Sequence, residues 1–174
     1  IAPGDILYTV TLPDKIDSAY RALTGGEMQA VHRVIICGGS NIGLQLAKAL
    51  ERKGISTKII EPNKERSEQL AQELDKTLVL HGEGTDQDLL REENIRETDA
   101  FIAVSSDEEA NILASLLAKR LGAKRVMALL NKTPYFRLVT TIGVDAIISP
   151  RMAAVSSILQ FIRKGKILSV TTVR

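Results

Sequence analysis

Residues 33–43 read RVIICGGSNIG, an apolar run followed at once by a glycine-rich turn. The apolar run has the length of a short strand, and the amphipathic residues 42–53 after the turn predict a helix that stops at Gly54. Gly38 and Gly43 match the first and third glycines of the pattern G-x-G-x-x-G, whereas Ser40 replaces the second. This succession of strand, turn and helix is typical of the first βαβ unit of a dinucleotide-binding fold.

The same alternation of short apolar runs with helix-length amphipathic segments continues along the chain. Short runs that are mainly apolar and rich in β-branched residues indicate strands of a parallel sheet that is buried on both faces. We therefore predict an α/β fold with a doubly wound, Rossmann-like, mostly parallel six-stranded sheet and a C-terminal crossover helix. The predicted strands are residues 33–37, 57–61, 77–80, 100–104, 125–130 and 144–148.

Capping residues mark the starts of three of the helices between these strands. Asn63 after Pro62 is the predicted N-cap of the second helix, and Thr85 that of the third, with Asp88 at its N3 position. Residues 106–109, which begin with Ser and end with Glu, form a capping box for the fourth.

The ends of the chain differ from this alternation, and the domain boundaries follow from that difference. The segment 13–31 contains a linker helix that the glycines at 25 and 26 close. The predicted organisation is the end of a preceding small β-rich domain at 1–12, the linker helix at 13–31, the nucleotide-binding domain at 32–149, a crossover and dimerisation helix at 150–164, and the start of a following β-rich domain at 165–174.

The crossover helix carries an apolar stripe, and the sequence does not decide which surface packs against it. Ser149 and Pro150 form a good helix start, since Ser is a preferred N-cap and Pro is tolerated at N1. Packing onto its own sheet and packing onto a partner subunit are both compatible with this pattern. The stripe comprises Met152, Val155, Ile158, Leu159 and Ile162.

Composition excludes several classes of function. The net charge is only +2, and the chain has three Tyr, three Phe and no Trp, so neither charge nor stacking aromatics favour nucleic acid. The single Cys37 allows no internal disulfide and no Cys cluster for a metal. No apolar run approaches the roughly 20 residues that span a bilayer, so we expect no direct membrane insertion.

The residues around the turn indicate an anion site with an acidic partner. The start of the helix at Ile42 offers free N–H groups and the positive end of the helix dipole. Glu61 lies at the end of the second strand, where a carboxylate accepts from ribose hydroxyls and repels a 2′-phosphate. Arg66 is near enough to reach a phosphate or adenine. The alternative is a tight turn without a ligand and a Glu that faces solvent.

Four motifs, in this order and spacing, extend the pattern: IICGGSNIG at 35–43, HGEGTD at 81–86, SSDEEAN at 105–111 and GVDAIISPR at 143–151. On these motifs residues 33–162 resemble the regulator-of-potassium-conductance domains, called RCK or KTN, and most closely the second such domain of Trk-type potassium-uptake regulators. The resemblance implies a cytoplasmic homo-oligomer, with dimers that build a larger ring, peripheral on the inner face of the membrane through a potassium transporter subunit.

The resemblance also implies the ligand and its contacts. The cofactor would be NAD or NADH, alternatively ATP or ADP, and its binding would change the assembly and thereby ion flux. Ser40 and Glu83 depart from the family pattern, which commonly has a Gly and an Asp there. The implied binding residues are Gly38, Gly39, Ser40, Asn41, Ile42, Glu61, Gly82, Glu83, Gly84, Thr85, Ser105 and Ser106.

Two other functions use the same residues. An NAD-dependent oxidoreductase would need a positioned acid or base and a substrate domain outside this sequence. His32 and His81 are expected to be surface or loop residues, and Asp107 and Asn111 to cap a helix end, so we predict no catalytic residue, no metal site and no enzyme. A dimerisation module with a vestigial pocket is the third possibility, and ligand binding distinguishes it from a sensor.

Overall fold

A computed structural model of the protein describes residues 15–26 and 30–162, and the chain divides into two units at residues 30 and 31. In the first unit the described residues form α1 (Ile16–Thr24), which ends at Gly25 with a left-handed φ of 69°. This helix lies where the linker helix is predicted. The predicted β-rich segments at 1–12 and 165–174 lie outside the described residues.

In the second unit, strands and helices alternate from residue 33 onward. The elements are β1 (Arg33–Cys37), α2 (Asn41–Arg52), β2 (Ser56–Glu61), α3 (Lys64–Glu73), β3 (Leu78–His81), α4 (Gln87–Glu92), a 3₁₀ turn at Ile95–Glu97, β4 (Ala100–Ala103), α5 (Glu108–Leu121), β5 (Val126–Leu129), α6 (Pro134–Thr141), β6 (Ala146–Ile148) and α7 (Pro150–Ile162).

The six strands form one parallel sheet in the order β3-β2-β1-β4-β5-β6. Each lies within two residues of its predicted bounds, and the doubly wound, Rossmann-like α/β fold is confirmed. The chain runs outward from β1 to β3, then returns to the other side of β1 and runs outward from β4 to β6. This reversal leaves a crevice between β1 and β4 at the carboxyl ends of the strands.

Apolar side chains cover both faces of the sheet. Successive residues of a strand point to opposite faces, so Ile35 and Ile36 of β1 belong to separate core clusters, each at most 2% exposed. The cluster around Ile35 includes Ala114 of α5, and that around Ile36 includes Leu44 of α2 and Leu70 of α3. Each large side chain buried in this way contributes roughly 1.5–3 kcal/mol.

Two predicted caps are wrong by one residue. The N-cap of α4 is Asp86, not Thr85, because the Asp86 carboxylate accepts from the N–H groups of Asp88 and Leu89. The N-cap of α5 is Asp107 in place of the predicted serine at 106, since its carboxylate accepts from the Ala110 N–H at 2.9 Å. Helix α6 and the 3₁₀ turn are not among the predicted elements.

Helix α7 forms where the crossover helix is predicted, and its apolar stripe is exposed. Its stripe residues are between 40% and 68% exposed, with Leu159 at the lower limit and Ile162 at the upper. Within residues 15–26 and 30–162, no helix has the length and apolar character that crossing a membrane requires.

Candidate functional site

The glycine turn follows β1 directly and is shaped by contacts that leave no space for side chains. Gly38 has a φ of 110°, a left-handed conformation that favours glycine, and its N–H donates to the Ile60 carbonyl at 2.9 Å. A Cβ at Gly38 would lie 2.5 Å from the backbone nitrogen of Ser105. A Cβ at Gly43 would collide with the Gly38 carbonyl oxygen. Both glycines are therefore required for the close packing of β1, α2 and the loop after β4.

Ser40, which stands in place of the second glycine, is the N-cap of α2. Its hydroxyl accepts from the Gly43 N–H at 3.3 Å and donates to the Val104 carbonyl at 2.8 Å. This side chain thus ties the turn to the end of β4. The first turn of α2 carries no acidic residue, so the positive end of the helix dipole stays available to an anion.

Glu61 reaches from the end of β2 to the glycine turn. One carboxylate oxygen, Oε2, accepts from the Gly39 N–H at 2.6 Å, and the other, Oε1, accepts from the Asn63 N–H at 2.9 Å. Arg66 approaches the next peptide of the turn from α3, and its Nε donates to the Gly39 carbonyl at 2.7 Å. Asn63 caps α3 as predicted, through its side-chain oxygen and the Arg66 N–H at 2.8 Å.

A buried asparagine holds the loop after β4. Asn111 is fully buried, and its side-chain oxygen accepts from both the N–H and the hydroxyl of Ser105, at 2.9 and 2.8 Å. Its amide nitrogen donates to the carbonyls of Ser105 and Leu129. Asn111 therefore holds this loop through hydrogen bonds from the buried side of α5. This role differs from the helix capping predicted for it.

These elements surround a cleft of about 530 Å³ at the reversal point of the sheet. Of the residues predicted to bind a cofactor, those that line the cleft are Gly38, Gly39, Ser40, Glu61, Glu83, Gly84, Thr85, Ser105 and Ser106.

The other three predicted residues lie nearby. Asn41 and Ile42 line a smaller adjoining cleft of about 380 Å³, which also includes Ser40. Gly82 lines neither of these two clefts, and its N–H donates to the Glu61 carbonyl at 3.1 Å. Gly82 is thus placed to fix the backbone of the loop after β3.

Several lining residues were not assigned to the site from sequence. Pro62 and Asn63 follow Glu61 directly, so their proximity to the carboxylate was the available signal. Asp107, Ala110 and Ala114 form the first turns of α5, and only their position after the predicted loop could have indicated them.

Cys37 is one of the residues that line the cleft. Burial, with smaller contributions from the carboxylates of Glu61 and Glu83, raises the pKa of the Cys37 thiol to about 12. Cys37 is therefore a neutral thiol at physiological pH and not a nucleophile. Neither histidine lines the cleft in the described part of the chain. The Nε2 of the His81 ring lies 3.0 Å from the Pro62 carbonyl oxygen, and the backbone N–H of His32 donates to the Asp99 carboxylate.

With this geometry established, comparison with known proteins identifies the family. Residues 34–150 match the family model of the TrkA-N domain. The chain belongs to the TrkA-N domain family. This confirms the RCK-like relationship that the sequence motifs indicate.

Curated relatives named TrkA agree with this assignment. The chain is 47% identical over 142 residues to the Trk system potassium uptake protein TrkA of Halomonas elongata, which covers 82% of this chain and 31% of the relative. It is 45% identical over 174 residues to TrkA of Vibrio alginolyticus, which covers 100% of this chain and 38% of the relative. The chain thus spans about a third of the length of these relatives.

A solved channel shares the TrkA-N fold. The structure of the GsuK channel bound to NAD superimposes with a TM-score of 0.60 at 17% identity, over 74% of this chain and 24% of GsuK. GsuK bound to ADP gives a TM-score of 0.61 at 14% identity, over 78% of this chain and 38% of GsuK. At this level of identity the comparison establishes the Rossmann-like fold alone.

Proposed function

We propose that this chain is the nucleotide-sensing domain of a potassium-uptake regulator and that it binds NAD, NADH or an adenine nucleotide without chemical turnover. One observation carries the proposal: the glycine turn, the Glu61 carboxylate and the Ser105 loop line a single cleft at the reversal point of the sheet. The names of the Halomonas and Vibrio relatives support potassium uptake, and the NAD-bound and ADP-bound GsuK structures support a nucleotide ligand.

In the proposed complex the pyrophosphate lies on the glycine turn, where Gly38 allows a close approach of the backbone and the N-terminus of α2 supplies backbone donors and the helix dipole. The adenosine ribose lies beside Glu61, and the loop with Glu83 and Thr85 approaches the adenosine. Ser105 and Ser106 contact the other side of the ligand. A non-catalytic role is supported by the neutral Cys37 thiol and by the position of both histidines outside the lining of the cleft.

At the level of the whole protein, we propose a cytoplasmic homo-oligomer of dimers in a larger ring, peripheral on the membrane through a potassium transporter subunit. Within it, residues 32–149 would form the second of two nucleotide-binding domains, 150–164 the dimerisation helix, and 1–12 and 165–174 parts of flanking β-rich domains. Nucleotide exchange would alter the contacts between subunits and thereby the transporter.

Thermal unfolding of the chain with NAD, NADH, NADP, ATP and ADP tests the proposal. A ligand at 100 times its dissociation constant stabilises the folded state by about 2.7 kcal/mol, which raises the midpoint of unfolding by several degrees. We expect this shift with at least one unphosphorylated-ribose nucleotide and a smaller one with NADP. The absence of any shift at millimolar concentration contradicts sensing and favours a vestigial pocket.

A further inference from the structure

A second cleft, of about 550 Å³, opens between α4, the 3₁₀ turn and α5. It shares no lining residue with the nucleotide cleft. Helix α5 starts beside the nucleotide cleft and runs back antiparallel to the strands, so its last turn, with Leu121, lies at their amino ends. The second cleft therefore extends toward the amino ends of the strands, and we refer to it as the arginine cleft.

Three arginines from three separate elements line the arginine cleft. Arg91 comes from α4, Arg96 from the 3₁₀ turn and Arg120 from the last turn of α5, and no Asp or Glu is among the lining residues. Like charges gathered around a concave surface create a positive potential that concentrates anions. Ile95 and Leu117 supply apolar walls, and a low-dielectric surface strengthens this field.

Two of these three arginines have no partner among the described residues, whereas Arg91 is paired. Arg91 donates to side-chain oxygens of Gln87 and Asp88, at 3.3 and 3.2 Å. No described residue provides an ion pair or a hydrogen-bond acceptor for the guanidinium groups of Arg96 and Arg120. All N–H donors of the Arg96 and Arg120 guanidinium groups are thus available to a ligand, and the Arg91 guanidinium is held by its two hydrogen bonds.

The backbone on either side of the arginine cleft places Arg96 close to the end of α5. Asn94, with a φ of 59°, is the one non-glycine residue of positive φ among the described residues, and it turns the chain from α4 into the 3₁₀ turn. Gly122, with a φ of 111°, lies under the Arg96 stem, and a Cβ there would approach the Arg96 Cγ to 3.1 Å. These two residues bring Arg96 over the end of α5, beside Arg120.

We propose that the arginine cleft binds a compact, multiply charged phosphate group, and that it does so independently of the nucleotide cleft. A guanidinium presents planar pairs of N–H donors that match two phosphate oxygens, which a lysine ammonium does not. Arg96 and Arg120 supply the contacts, and Arg91 adds charge from the far wall. The phosphate can belong to a soluble compound or to a lipid headgroup, since both present the same oxygens.

Inorganic tripolyphosphate and vesicles test these two sources. Binding of tripolyphosphate to the complete chain is measured by isothermal titration calorimetry, and binding to vesicles of phosphatidylcholine with or without phosphatidic acid by co-sedimentation. We expect Arg96→Ala with Arg120→Ala to weaken binding of the preferred probe at least tenfold. Arg96→Lys with Arg120→Lys retains the charge and is expected to recover only part of the affinity. Circular dichroism verifies that each variant is folded.

Two controls separate this site from other anion binding. Arg52→Ala with Lys53→Ala removes the same charge from exposed positions at the end of α2, and we expect it to leave binding within twofold. Gly38→Val, which blocks the nucleotide cleft, is also expected to leave it unchanged. Three results overturn the proposal. The first is an equal loss of affinity in the Arg96/Arg120 and Arg52/Lys53 alanine variants, the second is a loss of affinity in Gly38→Val alone, and the third is no binding of either probe to the unmutated chain. Binding of tripolyphosphate or of vesicles that depends on Arg96 and Arg120 supports the proposal, and the probe that binds identifies the source of the phosphate.

Discussion

The Gly39 N–H donates to Oε2 of Glu61 at 2.6 Å, so the carboxylate at the end of β2 is tied to the turn at the end of β1. The Gly39 carbonyl is held as well, by the Nε of Arg66 at 2.7 Å. The two successive peptides that flank the Gly39 Cα are thus held by a carboxylate on one side and a guanidinium on the other. The turn is organised before a ligand arrives, which reduces the entropy that binding must overcome.

Removal of the Glu61 carboxylate is expected to weaken nucleotide binding. Glu61→Ala removes the acceptor proposed for the ribose hydroxyls and frees the Gly39 peptide. A hydrogen bond to a charged group is worth roughly 1.5–3 kcal/mol, so the dissociation constant of NAD or ADP is expected to rise tenfold or more in calorimetric titration.

The control for this variant is Glu65→Ala, which removes the same charge from an exposed position in the first turn of α3. It is expected to change the dissociation constant less than twofold. The unmutated chain is expected to bind NADP more weakly than NAD, because the carboxylate repels a 2′-phosphate. Tighter binding of NADP contradicts the role assigned to Glu61.

A branched side chain at position 38 is expected to abolish nucleotide binding while the domain remains folded. Gly38→Val places a branched side chain at a φ of 110° and against Ser105, so the turn can no longer approach a pyrophosphate. The control is Gly54→Val, where φ is also positive, at 71°, but a Cβ meets nothing within 4 Å. Both variants carry backbone strain, and only the first is expected to lose affinity. Full affinity in Gly38→Val means that the ligand binds elsewhere.

The stability of the domain is expected to fall in acid partly through Asp99. A hydrogen bond from Lys124, then those from the His32 and Arg33 N–H groups, hold the pKa of the Asp99 carboxyl well below its usual range. A carboxyl with a lowered pKa in the folded state adds stability above its unfolded pKa of about 3.9, and this stability is lost as pH falls through the folded pKa.

Urea unfolding between pH 7 and about pH 2 measures this contribution. We expect the free energy of unfolding to decrease toward the acid end, and to decrease less in Asp99→Asn, which has no carboxyl to titrate. Lys124→Ala removes the largest cause of the low pKa, so the decrease is expected to be smaller and to be complete at a higher pH. An identical pH profile in all three proteins excludes Asp99 as a contributor.

The sequence predicts the sheet well because a parallel strand buried on both faces leaves a continuous apolar run. It predicts helix starts less well: Thr85 and Asp86 are both good caps, and the backbone conformation rather than residue type selects Asp86. The bond between Arg66 and Gly39 joins residues 27 positions apart, and no periodicity encodes such a contact. The cleft lining from α5 was missed for the same reason.

Finally, we expect α7 to form a dimer interface. Its stripe contains Ile158 and Ile162, which are 58% and 68% exposed, and burial of such a side chain is worth roughly 1.5–3 kcal/mol. Ile158→Asp with Ile162→Asp is therefore expected to convert a dimer to a monomer in analytical ultracentrifugation. Ala153→Asp with Ser157→Asp adds the same charge on the other side of the helix, one turn apart, and is expected to leave the dimer intact. Both variants are expected to bind nucleotide, since neither alters the cleft. A monomeric unmutated chain at high micromolar concentration contradicts the interface, because the exposed stripe would then have no partner in a second copy.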